Sequence, residues 1–69
     1  MSSWSFKDQR RFIEMATAGM SFDEVVKRTR RYPVSVRKAA LRSGVKLGKQ
    51  SASDTQLMAA VLRLRAKGK

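Results

Sequence analysis

The sequence predicts an all-helical chain: a trihelical core in helix-turn-helix order, followed by a fourth, amphipathic helix. Apolar residues recur at three- and four-residue spacing in separate short stretches, as one face of a helix requires. Those stretches are punctuated by residues that start and stop helices, Ser5, Ser21, Pro33 and Ser53 before them, Gly19 and Gly44 after. The order of parts is a helix, a glycine stop, a short capped helix, a tight turn and a basic helix closed by glycine.

The first helix is expected over about residues 6–18. Ser5 is a suitable N-cap, and Asp8 at the third helical position answers the positive end of the helix dipole. Phe12, Met15 and Ala16 form its inner side, with Phe6 or Ile13 adding to it, and Gly19 takes the left-handed conformation that ends it. The second helix is expected over 22–29. Ser21 and Glu24 have capping-box spacing, and Met20 and Val25 have hydrophobic-staple spacing. Val25, Val26 and Thr29 give its inner face.

The third helix is expected over 33–43. Pro33 suits the first helical position, where its missing N–H would have had no partner. Val36 and Ala40 face inward, and Val45 and Leu47 close the core beyond Gly44. Residues 48–53 read as a linker between a domain at 1–47 and a C-terminal unit at 54–69. In the latter a helix over about 54–66 starts at a Ser53/Gln56 capping box and carries a Leu57, Val61, Leu64 stripe, with Met58 and Leu62 beside it. Arg63, Arg65 and Lys67 suit its negative end. The stripe has two possible uses, folding back on the three-helix core or joining two copies as a homodimer. A chain this small needs the buried area, which favours folding back.

Charge narrows the function. Sixteen Lys and Arg stand against five Asp and Glu, a net charge of +11. Between Glu24 and Asp54 there is no acidic residue, while Lys27, Arg28, Arg30, Arg31, Arg37, Lys38, Arg42, Lys46 and Lys49 are all basic. A field of one sign concentrated on one stretch attracts polyanions. Duplex DNA is the first expectation and an acidic protein surface the alternative.

Other classes recede. With no Cys and no His, disulfides and the common zinc sites are excluded. General acid–base chemistry lacks its usual imidazole, and Asp8, Glu14, Asp23, Glu24 and Asp54 are scattered over three helices. No enzyme activity, cofactor, metal or small-molecule substrate is therefore expected. Residues 1–5 show no basic segment leading into an apolar one, and the longest apolar run, 58–62, is far too short to span a bilayer. The expected location is cytoplasmic, at the nucleoid, with no membrane partner.

In a helix-turn-helix the third helix lies in the major groove. Arg37, Lys38, Leu41 and Arg42 point away from the Val36/Ala40 seam, and Val34 and Ser35 sit at the helix start. Arg37, Lys38, Leu41, Val34 and Ser35 are the expected base contacts. Arg can give guanine O6 and N7 two parallel hydrogen bonds. Arg28, Arg30, Arg31, Arg42 and Lys46 are expected on phosphates. Tyr32 either donates its hydroxyl to a phosphate or covers the corner between the second and third helices with its ring. Trp4, at the start of the first helix, is expected in the core.

Trp4-Ser5, Asp8, Phe12, Gly19-Met20-Ser21, Glu24-Val25-Val26, the run Pro33 to Ala40, and Gly44-Val45 together resemble the Myb/SANT-like, homeodomain-like helix-turn-helix of small bacterial regulators. In that family a Trp followed by Ser or Thr opens helix one, a Gly-hydrophobic-Ser step leads into helix two, and helix three reads DNA. The resemblance covers about residues 4–47 and implies a DNA-binding transcriptional regulator. Three positions depart from it: Tyr32 replaces a capping Ser or Thr, Thr29 a large aliphatic residue, and Ser43 a Leu before Gly44.

Overall fold

The structure, a computed structural model, describes residues 4–67. Residues 1–3 and 68–69, and with them the outer ends of the two expected units and part of the N-terminal segment read for a leader, lie outside the described residues. Four helices follow one another: α1 (Phe6–Thr17), α2 (Phe22–Thr29), α3 (Pro33–Ser43) and α4 (Asp54–Lys67).

Each helix starts where a local signal places it. Ser5 Oγ accepts from the Asp8 N–H at 3.1 Å, and the Asp8 carboxylate accepts from the Ser5 N–H at 3.4 Å, a reciprocal box. Ser21 Oγ likewise accepts from the Glu24 N–H at 3.2 Å, but the Glu24 carboxylate turns away to accept from Arg28 Nε at 2.9 Å. Ser53 and Gln56 close both halves of their box, at 3.0 and 3.2 Å. α1 ends one residue earlier than expected, at Thr17, with Gly19 left-handed just beyond. Gly44, at φ 68°, ends α3.

The core draws on all four helices. Phe12 from α1, Phe22, Val25 and Val26 from α2, Val36 from α3, and Leu57 and Val61 from α4 form one buried cluster. Each such side chain contributes about 1.5–3 kcal/mol when fully buried. Trp4 packs edge-on against Phe12, ring centroids 5.3 Å apart. α4 lies against α2 and α3, so its Leu57/Val61 stripe covers the core of this chain. Leu41 points outward and adds nothing to this core.

Two sequence expectations for the core fail. Phe6 is 82% exposed and Ile13 38% exposed. At about 100° per residue they sit some 100–120° around α1 from Phe12, sharing a flank that no other helix covers. Trp4 occupies the place beside Phe12 instead.

The segment 48–53 is not a free linker. The Phe22 N–H donates to the Gly48 carbonyl at 3.1 Å and the Gly48 N–H to the Met20 carbonyl at 2.9 Å. The Asp23 carboxylate accepts from the Ser51 and Ala52 N–H groups at 2.8 and 2.7 Å. These N–H groups hold the Asp23 carboxyl below its ordinary pKa, Ala52 contributing most. The strap fixes where α4 begins.

Candidate nucleic-acid interface

The third helix takes its orientation from its buried side. Pro33 and Val36 are buried and Ala39 and Ala40 half-buried, so the opposite face is left to solvent. Val34, Lys38, Leu41 and Arg42 are exposed on it, and Ser35 is half-buried at its edge. Val34, Lys38 and Leu41 follow the i, i+4, i+7 spacing of a single stripe. Leu41 is 80% exposed and Val34 50% exposed.

Arg37, expected on a base edge, is held elsewhere. Its Nη2 donates to Asp54 Oδ1 at 3.0 Å and to Gln50 Oε1 at 3.0 Å, and its Nη1 to Asp54 Oδ2 at 3.2 Å. The guanidinium also lies 5.1 Å from the centre of the Phe22 ring. Arg37 does point away from the Val36/Ala40 seam, but toward α4, whose first residue meets it. The contact raises the pKa of Arg37, and Arg37 followed by Gln50 holds the Asp54 carboxyl below its ordinary range. In this arrangement Arg37 joins α3 to α4.

Arg31, expected on a phosphate, is likewise committed. Its Nη2 donates to Asp8 Oδ2 at 3.1 Å, and its guanidinium sits 4.6 Å above the Trp4 ring. The Asp8 carboxyl is held below its ordinary pKa by the Ser5 N–H first, then the Ser5 hydroxyl, with Arg31 adding to them. Arg28 is paired to Glu24 one helical turn back, on the surface, where such pairs are weak and readily exchanged.

The connection between α2 and α3 is three residues long. Arg30 is left-handed there, at φ 55°, a conformation more usual for glycine, and its side chain is exposed. Tyr32 precedes α3 without giving it a side-chain cap. Its ring packs on the core, with the Arg65 guanidinium 4.8 Å from its centre, while Arg65 Nε donates to the Arg30 carbonyl at 3.1 Å. That packing fits the structural one of its two expected roles. Arg65, on α4, is the residue of this corner that sequence reasoning missed. Its only signal was the basic last turn of α4.

Of the nine basic residues between Glu24 and Asp54, Arg28, Arg31 and Arg37 are ion-paired. Lys27, Arg30, Lys38, Arg42, Lys46 and Lys49 are exposed and make no ion pair among the described residues. Among the described residues, no group of three or more metal-ligating side chains is brought together, and no helix is long and apolar enough to cross a membrane.

In comparisons with known proteins, no family model, no curated protein and no solved structure matches the chain.

Proposed function

We propose that the chain is a duplex-DNA-binding domain, a small transcriptional regulator or DNA-targeting module acting at the nucleoid, with α2, residues 30–32 and α3 serving as a helix-turn-helix and α3 entering the major groove. One observation carries the reading. Lys27, Arg30, Lys38, Arg42, Lys46 and Lys49 are exposed and make no ion pair among the described residues, in a stretch of chain that has no acidic residue, and Lys38 and Arg42 lie on the outward α3 face. A polyanion with regularly spaced phosphates suits that distribution.

The roles follow from placement. Lys38 and Leu41, with Val34 and Ser35 at the helix start, approach base edges. Arg30, Arg42 and Lys46 meet phosphates, and Arg28 joins them by exchanging Glu24 for a phosphate oxygen. Arg37 and Arg31 hold the scaffold. The chain is read as non-catalytic: it has no His or Cys, and Asp8, Asp23 and Asp54 are engaged in structural hydrogen bonds.

The test is a titration of labelled random duplex, single-stranded DNA and RNA at several salt concentrations. Duplex is expected to bind best, with log affinity falling against log salt at a slope of about −4 for some four or five neutralised phosphates. An acidic protein partner, together with no duplex affinity at low salt, would overturn the proposal.

A further inference from the structure

The outward stripe of α3 is unusual for the tip of a basic domain, because two of its three members are apolar. Val34 and Leu41 flank Lys38 and cannot turn inward, since Pro33 and Val36 fasten the other side of the helix in the core. α3 holds no Asn or Gln, the side chains that pair with adenine in two hydrogen bonds. Of its two arginines, which have the donors for guanine, Arg37 is engaged by Asp54 and Gln50, and Arg42 lies in the last turn, where it is assigned to a phosphate. What α3 presents at its centre is therefore two hydrocarbon groups and one amine.

The C5-methyl of thymine is the apolar feature of the major groove. We infer that the α3 stripe reads thymine methyl groups, Val34 and Leu41 each seating one, while Lys38 between them donates to guanine O6 and N7 or to thymine O4. This rests on the DNA-binding reading and specifies its ligand. Seven residues of helix separate Val34 from Leu41, about 10.5 Å along the axis. At about 3.4 Å per base step, that spans roughly three steps. The preferred site holds thymine at both ends of such an interval. The exposed charges at the end of α3 (Arg42) and on either side of it along the chain (Arg30 and Lys46) suit flanking phosphates and set duplex DNA as its occupant.

The experiment moves methyl groups without altering charge or pairing. The full chain is titrated with alternating dA-dT and dA-dU polymers, which differ only in the C5-methyl, and with alternating dG-dC polymer with and without 5-methylcytosine. Removing a contacted methyl is expected to weaken binding about four-fold, and about ten-fold or more where both residues make contact. Methylating cytosine is expected to strengthen it in the same sense. In a Val34→Ala/Leu41→Ala variant, both preferences should vanish while salt-dependent binding remains. Both side chains are exposed, and a thermal melt checks that the variant is folded. Equal affinity for the dA-dT and dA-dU polymers would overturn the inference and leave DNA binding intact. No binding to any of the polymers at low salt would instead remove the DNA-binding reading beneath it. A dimer that dissociates on Leu41→Ala, with no methyl preference, would assign the stripe to a second copy and overturn the inference.

Discussion

Arg37 and Asp54 face each other across the junction of α3 and α4 in a two-pronged pair, with Nη2–Oδ1 3.0 Å and Nη1–Oδ2 3.2 Å. The fork geometry aligns the two helices as well as attracting them. Since the pair is on the surface, its strength is modest and salt-sensitive. Arg37→Ala is expected to lower the melting temperature by a few degrees, and Arg37→Ala with Asp54→Ala to cost less than the sum of the two, because both remove the shared Arg37–Asp54 pair. Sequence preference among duplexes should persist in Arg37→Ala and weaken in Lys38→Ala. Loss of preference with an unchanged melt would make Arg37 a reader after all.

Acid should unfold the protein through three carboxylates. Asp8, Asp23 and Asp54 all have pKa values below the ordinary 3.8, owing chiefly to the Ser5 N–H, the Ala52 N–H and Arg37 respectively. A depressed native pKa means that the unfolded chain takes up the proton first. The stability these groups confer is therefore complete above their unfolded pKa of about 4 and is lost as pH falls through the lower native values. With no His, the melting temperature is expected to be level between about pH 5 and pH 8 and to drop below about pH 4. Asp23→Asn should shallow that acid limb; an unaltered limb would remove Asp23 from the account.

Gly48 is required by space. A Cβ there would lie 2.9 Å from Ser21 Cα and 3.2 Å from the Met20 carbonyl oxygen, both backbone atoms that cannot swing aside. Gly48→Ala is expected to destabilise by about 1–3 kcal/mol, through strain and a lengthened strap. For a domain of this size, that is about 7–20 °C in melting temperature. A melt within one degree of the parent would show that the strap shifts freely.

Arg30 sets stability against binding. A left-handed non-glycine residue carries a steric penalty of roughly 1–2 kcal/mol, part of which glycine returns in chain entropy. Arg30→Gly is expected to stabilise the fold by about 0.5–1 kcal/mol and, with one phosphate contact gone, to make the salt slope shallower by about 1. If stability rises and duplex binding is unaffected, Arg30 is not at the interface.

The helices were legible in the sequence because their signals are local. Ser5, Ser21, Ser53, Pro33 and Gly44 act within one turn of themselves, and each helix begins or ends where they put it. Long-range partnerships were not. Arg37 and Asp54 are 17 positions apart, and Arg31 and Asp8 are 23 apart. Periodicity correctly turned Arg37 away from Val36 but carried no record of which helix arrives on that side. The strap was hidden for a related reason: its small polar residues look like a linker, while backbone groups and one carboxylate do the holding. For the candidate site, the charged stretch and the outward set of Val34, Lys38, Leu41 and Arg42 came from pattern alone. The removal of Arg37 and Arg31 from it required coordinates.

Val61 shares its burial with Phe12, Val25 and Val36, which come from the first two-thirds of the chain. That sets an order for events during synthesis. A ribosome-bound chain in which α1 to α3 have emerged still lacks the side chains that cover them, and it offers Val25 and Val26 to chaperones and proteases. Native structure has to wait until translation has passed α4 and released it from the exit tunnel. A premature stop codon in α4 should therefore yield a polypeptide that is rapidly degraded, with every residue of the third helix intact.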